Sequence, residues 1–143
     1  MLPEPFVTAA LTKNEALSRR LSLTDVWDET ASDSSCRLVT GVRVTRRAFL
    51  EEYPQAVIDF IAEHAASVEA VNADPATYGQ VVADLGIVDA APIAAKAIPN
   101  CNLVCITGTE MQAALSGYLH VLHEADPASV GGELPPDNFY FLG

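Results

Sequence analysis

The cysteines and histidines are the residues of this sequence best suited to chemistry, because thiolates and imidazoles often serve as nucleophiles and metal ligands. Cys101 and Cys105 share one apolar run, and four residues of strand amount to about 13 Å, too far for a disulfide. Since the chain has 3 cysteines, an odd number, we predict no intrachain disulfide. No histidine stands at a ligand spacing from a cysteine, so buried, unreactive thiols are favoured over a metal or redox site. The residues in question are Cys36, Cys101, Cys105, His64, His120 and His123.

Residue patterns typical of catalysis are missing from the sequence. It has no glycine-rich phosphate loop, no nucleophile elbow and no zinc-protease histidine pair. His120 and His123 share a helical face near Glu124, and we interpret them as a surface pair. Glu51 and Glu52 are interpreted as solvated carboxylates. The sequence therefore predicts no enzyme, no catalytic residue, no metal site and no cofactor.

The elements that must position any site are predicted from hydrophobic periodicity and from helix-end signals. Apolar residues recur at helical spacing over 54–72, and Asp74-Pro75 begins a further helix that Gly86 ends. Other helices are predicted over 5–14, 25–29, 90–97 and from 110 onward. Alternating or continuous apolar residues predict short strands over 21–23, 38–44 and 101–107. The fold class predicted is a helix-rich α/β fold with two or three short strands.

Several single residues in the predicted helices and at their ends have predicted structural roles. Trp27 is expected to anchor the short helix 25–29 against the core. Thr24 is expected to cap that helix, and Thr107 and Glu110 have capping-box spacing for the last helix. These roles concern the folding of the chain and involve no ligand.

Composition and charge narrow the classes of partner. The chain has 143 residues, half of them hydrophobic, with 8 basic against 19 acidic residues and a formal charge of −11. Such a charge repels phosphate backbones, so nucleic acid is excluded as a partner. No apolar run approaches the ~18 residues of a membrane span, and the N-terminus lacks a signal-peptide pattern. We therefore expect a single domain over 1–143 with no transmembrane segment, cytoplasmic if expressed alone.

Several segments, taken in their order and spacing, resemble a known family. The first, Leu2-Pro-Glu-Pro-Phe-Val-Thr8, is followed by Leu38 to Asn72 with Glu51-x-x-Pro54-x-Ala56-Val57 inside it. The last two are Ile98 to Gly108 and Ser129 to Pro135. Together they resemble the C-terminal part of solute-binding proteins of bacterial ABC importers, of the nitrate, sulfonate and thiamine-precursor type.

The resemblance implies a fold, a function and ligand-binding residues. The fold would be part of a type II periplasmic-binding-protein-like lobe, and the parent would close two lobes around a small solute for an ABC permease. Glu4 and Pro5 at the lobe crossover, with Thr40 and Gly41 at a strand, would face the solute. Glu4 either neutralises an amine-bearing solute or only caps a helix, and Gly41 either admits a ligand or marks a bulge. The full-length parent would be periplasmic or anchored at the cell surface.

The second lobe of that family is nearly absent from this sequence, so the resemblance is also compatible with a chain that binds no solute. A cleft needs both walls, so we expect the isolated chain to bind no such solute with useful affinity. The alternative is a truncated structural fragment that self-associates through exposed apolar faces. A homodimer is predicted from three apolar surfaces: the stripe of the helix over 54–72, the stripe of the last helix and the aromatic run 139–141. Exchange of Met1 to Asn14 is one way to form it.

Overall fold

The regular structure of this chain is helical. The computed structural model describes residues 1–31 and 35–143. The α-helices are α1 (Phe6–Lys13), α2 (Leu23–Thr30), α3 (Arg47–Glu52), α4 (Pro54–Ala73), α5 (Pro75–Asp84), α6 (Ala91–Ala97) and α7 (Gly108–Ala125). Short 3₁₀ helices occur at Ile98–Asn100, Pro127–Val130 and Asp137–Phe139. None of the described helices is both long enough and apolar enough to cross a membrane.

The fold class is all-α, so the predicted α/β fold with a few short strands is wrong. No residue in 1–31 or 35–143 belongs to a strand. The partial type II periplasmic-binding-protein-like lobe that the resemblance implied is contradicted with it. Leu23 begins α2, and the candidates 38–44 and 101–107 run outside regular structure. A strand requires a neighbour that exchanges backbone hydrogen bonds with it, and alternation alone cannot supply that neighbour.

The helices predicted from periodicity and end signals are largely confirmed. α4 and α5 begin at Pro54 and Pro75, as expected for proline in the first turn. The Asp74 carboxylate accepts a hydrogen bond from the Thr77 backbone N–H at 3.1 Å. Hydrogen bonds from Thr77 lower the pKa of this carboxyl below its usual range.

Two of the predicted helix caps are wrong. α2 is capped by Ser22 and not by Thr24, because the Ser22 hydroxyl accepts the Asp25 N–H at 3.3 Å. Thr107 occupies the N-cap of α7 but makes no side-chain capping bond. At α2, Ser22 and Thr24 both carry hydroxyls near the helix start, so residue type and spacing alone do not select the one that caps it.

Internal packing divides the chain into two compact units. Unit 1 comprises Met1–Arg19 with Tyr53–Cys105, and unit 2 comprises Arg20–Glu52 with Ile106–Gly143. The single domain expected over 1–143 stays a prediction.

In unit 1 the closest helix packing is that of α5 on α6. Gly79 of α5 is buried, and a Cβ built on it would lie 2.8 Å from the Ala95 nitrogen and 2.9 Å from the Ala91 oxygen. Ala94, Ala97 and Ile98 are buried beside this contact. Small side chains therefore let the two backbones approach closely.

In unit 2 the aromatic ring of Trp27 connects α2 to α7. Its centroid lies 5.3 Å from that of Tyr118, at an interplanar angle of 56°. Trp27 Nε1 also donates to the Cys36 carbonyl oxygen at 3.3 Å. The predicted anchoring role of Trp27 is confirmed. All three cysteines are free thiols, as predicted, but only Cys36 is buried, at 8% exposure. Cys101 and Cys105 are half-buried, so the burial predicted for them is wrong.

Gly79→Ala is expected to destabilise the protein. A helical Gly-to-Ala change normally stabilises by about 1 kcal/mol, but overpacking against backbone costs about 1–3 kcal/mol. We expect the steric effect to exceed the propensity gain and the free energy of unfolding to fall by about 1 kcal/mol. Urea denaturation followed by circular dichroism measures it.

The matched control is Gly41→Ala, because a Cβ at Gly41 meets nothing within 4 Å. Its effect should stay within about 0.5 kcal/mol. A Gly79→Ala protein as stable as the wild type would show that α5 and α6 can separate without cost.

Candidate functional site

A groove in each unit adjoins the residues that the resemblance assigned to solute binding. Groove A, in unit 1, has a volume of about 400 Å³. Its walls are Thr8, Leu11, Thr12, Glu15, Arg19, Lys96 and Asn100. Groove B, in unit 2, has a volume of about 270 Å³. Its walls are Val39, Thr40, Gly41, Val42, Leu115, Tyr118 and Leu119.

Glu4 and Pro5 lie at the start of α1. One carboxylate oxygen of Glu4 accepts the Thr8 backbone N–H at 3.1 Å, and the other accepts Arg19 Nη2 at 2.6 Å. Its side chain is only 11% exposed. Pro5 is the N-cap residue, and its carbonyl accepts the Ala9 N–H at 3.0 Å. Glu4 therefore caps α1 and holds Arg19, while contact of Glu4 and Pro5 with a solute stays a prediction.

The polar wall of groove A is held by a chain of hydrogen bonds that starts at Glu4. Arg19 Nη1 donates to Asn100 Oδ1 at 3.4 Å, and Asn100 Nδ2 donates to the Lys96 carbonyl oxygen at 3.1 Å. The segment after α1 is thereby tied to the end of α6. The guanidinium of Arg19 is positioned before any ligand arrives, which lowers the entropic cost of binding.

Cys101 follows the 3₁₀ turn beside this network. Its thiol donates to the Ala97 carbonyl oxygen at 3.2 Å. Burial raises the pKa of the Cys101 thiol, and the negative charge of Glu4 raises it further. Because the thiolate is the reactive form, Cys101 is a poor nucleophile at neutral pH.

Groove B is formed by the irregular segment 39–42 and the α7 residues Leu115, Tyr118 and Leu119. Thr40 and Gly41 are both exposed and line it together. The empty space beside Gly41 leaves room for a ligand atom against the backbone. Two leucines, two valines and an aromatic ring make the walls mainly apolar, with hydroxyls at Thr40 and Tyr118.

Sequence reasoning missed the charged residues of groove A. Arg19 lies 15 residues from Glu4 and 81 from Asn100, and neither separation is a local spacing. Tyr118, by contrast, belongs to the apolar stripe of the last helix, and a stripe by itself does not indicate a groove. Within the described ranges, no group of three or more His, Cys, Asp or Glu side chains could hold a metal ion.

No protein-family model, curated protein or solved structure matches this chain. The resemblance to solute-binding proteins therefore stays a prediction from the segments quoted above.

Glu4→Gln is expected to weaken unit 1. The change keeps the shape of the side chain but removes the charge that Arg19 and the Thr8 N–H share. Hydrogen bonds to charged groups contribute about 1.5–3 kcal/mol, and the 41% exposure of the Arg19 side chain reduces this by solvent screening. We expect a loss of about 1 kcal/mol in the free energy of unfolding at pH 7, measured by urea denaturation.

Glu15→Gln is the control, since it removes a carboxylate for which the described residues show no ion pair. Combining Glu4→Gln with Arg19→Met should cost less than the sum of the single changes. Strict additivity would mean that the pair contributes nothing to stability.

Proposed function

We propose that this chain is part of the solute-binding component of a bacterial ABC importer and contacts a small solute in groove B. The observation that carries the proposal is that Thr40 and Gly41, which the resemblance selected, line one groove with Tyr118. The solute would be delivered to a membrane permease with no bond made or broken. The full-length parent would act in the periplasm or anchored at the cell surface.

The walls of groove B favour a small, flat and largely apolar solute. Tyr118 offers an aromatic edge or face, the leucines offer apolar contact, and Thr40 offers a hydroxyl. A heteroaromatic ring of the thiamine-precursor kind has this character. The volume of about 270 Å³ lies near the lower limit of ligand pockets, which is about 300 Å³. We therefore expect a dissociation constant on the order of 1 mM, or about −4.1 kcal/mol.

A titration of the ¹⁵N-labelled chain with 4-aminopyrimidine tests the proposal by NMR. Amide shifts should concentrate at residues 39–42 and 115–119. Gly41→Val places a side chain in the open space of the groove and should weaken binding about tenfold. Thr45→Val is the control, because Thr45 lies on the same irregular segment before α3 but not in the groove wall.

The titration can also contradict the proposal. Equal binding by the wild type and Gly41→Val would place the ligand elsewhere. The absence of any residue-specific shift at concentrations about tenfold above 1 mM would remove groove B as a solute site.

A second candidate function is a structural fragment that self-associates without binding solute. Its support is the exposure of large apolar side chains in both units, while the buried hydrophobic residues are mostly small. Phe6 is 62% exposed, Phe60 55%, Val44 82% and Phe139 54%. Among the described residues, the buried hydrophobic ones are Cys36, Ala94, Ala97, Ile98 and Ala114. Exposed apolar surface of this kind favours association with another surface.

Light scattering at tens of micromolar tests the second candidate. We expect a homodimer, with twice the 15.2 kDa mass of one chain. Phe60→Ser removes an exposed aromatic ring from the apolar stripe of α4 and should shift the equilibrium toward monomer. Glu63→Ser changes an exposed polar residue of the same helix and should not. A wild-type mass of 15.2 kDa would rule out self-association under these conditions.

A further inference from the structure

We propose that groove A binds a small zwitterion, with the carboxylate of the ligand at Lys96 and Arg19 and its ammonium group at Glu15. This site lies within unit 1 and is independent of the solute site proposed in groove B. The inference goes beyond the importer function and does not rest on it. It follows from the way in which the charges of groove A are paired.

Only one of the three charged residues on the wall of groove A is in an ion pair with another described residue. Arg19 is neutralised by Glu4 at 2.6 Å. Lys96 and Glu15 are both exposed, and within residues 1–31 and 35–143 neither is in an ion pair. The groove therefore presents one cation and one anion, and neither is in an ion pair with any residue that the structure describes.

Lys96 and Glu15 line the same groove but do not reach each other. They form no ion pair, because no N–O distance between them is as short as 4.0 Å. Charges separated by water attract each other only weakly. A molecule that carries an ammonium and a carboxylate group can satisfy both residues at once.

The total charge argues against a simple anion as the ligand. Arg19 and Lys96 contribute two positive charges, while Glu4 and Glu15 contribute two negative ones, so the site is neutral. The whole chain carries −11, which adds no attraction for an anion. An anion at Lys96 would also meet the carboxylate of Glu15, whereas a zwitterion places its ammonium group there.

The carboxylate end of the ligand would meet donors that are already in position. A guanidinium has five N–H donors, and Arg19 is held through bonds to Glu4 and Asn100. Guanidinium and ammonium donors form strong, charge-assisted hydrogen bonds with carboxylates. Leu11 supplies an apolar surface for the methylene groups of the ligand.

The test uses the whole chain and a series of amino acids that differ in the distance between their charges. Glycine, β-alanine, 4-aminobutanoate and 6-aminohexanoate are titrated by NMR, with acetate and methylammonium as half-ligands. We expect one zwitterion to bind about tenfold more tightly than either half-ligand. Its affinity should change little with salt, because its net charge is zero.

Lys96→Met and Glu15→Gln should each reduce the affinity for this zwitterion to that of the half-ligands. Both residues are exposed, so circular dichroism should show an unchanged fold. Lys13→Met in α1 and Glu63→Gln in α4 are the matched controls, because neither residue lines groove A. Controls that weaken binding as much as the groove variants would overturn the proposal. Acetate binding as tightly as every zwitterion would do the same.

Discussion

The contact between Glu4 and Arg19 determines the geometry of the charged groove in unit 1. A single carboxylate satisfies an orphan N–H in the first turn of α1 and neutralises a guanidinium 15 residues away. Because the Glu4 side chain is only 11% exposed, loss of Arg19 would leave a poorly solvated carboxylate, whereas the Arg19 side chain is 41% exposed and stays in contact with water. Through Asn100 the same contact orients the end of α6, so helix capping and groove formation depend on one interaction.

The two grooves differ in the kind of recognition that they offer. Groove B presents leucines, valines and an aromatic ring, where contact area and shape decide affinity. Groove A presents balanced charges, where the spacing of donors and acceptors decides it. The strongly acidic composition predicts neither the apolar walls of groove B nor the balanced charges of groove A. Over the few ångströms of a groove, the arrangement of neighbouring side chains outweighs the net charge of the chain.

What could be predicted from the sequence depended on whether the determining contacts are local. α4 and α5 were found because periodicity, proline and the Asp74 cap all act within a few residues. The predictions of strands over 38–44 and 101–107 were wrong because strand formation requires a distant partner strand. In the second segment, Asn102 also has a φ of 50°, which lies outside the extended region of the backbone. Thr40 and Gly41 were selected by resemblance, and the structure places both on one groove. Arg19 could not be found, since only folding brings it to Glu4.

The position of Trp27 has a consequence for how unfolding is observed. It is the single tryptophan of the chain, and its ring packs on Tyr118 in unit 2. Intrinsic tryptophan fluorescence therefore reports on unit 2, while the far-ultraviolet signal also comes from α4, α5 and α6 of unit 1. If the two units melt at different temperatures, these spectroscopic curves separate, and if they melt together, the curves coincide. Comparing tryptophan fluorescence with far-ultraviolet circular dichroism therefore measures whether the two units unfold cooperatively.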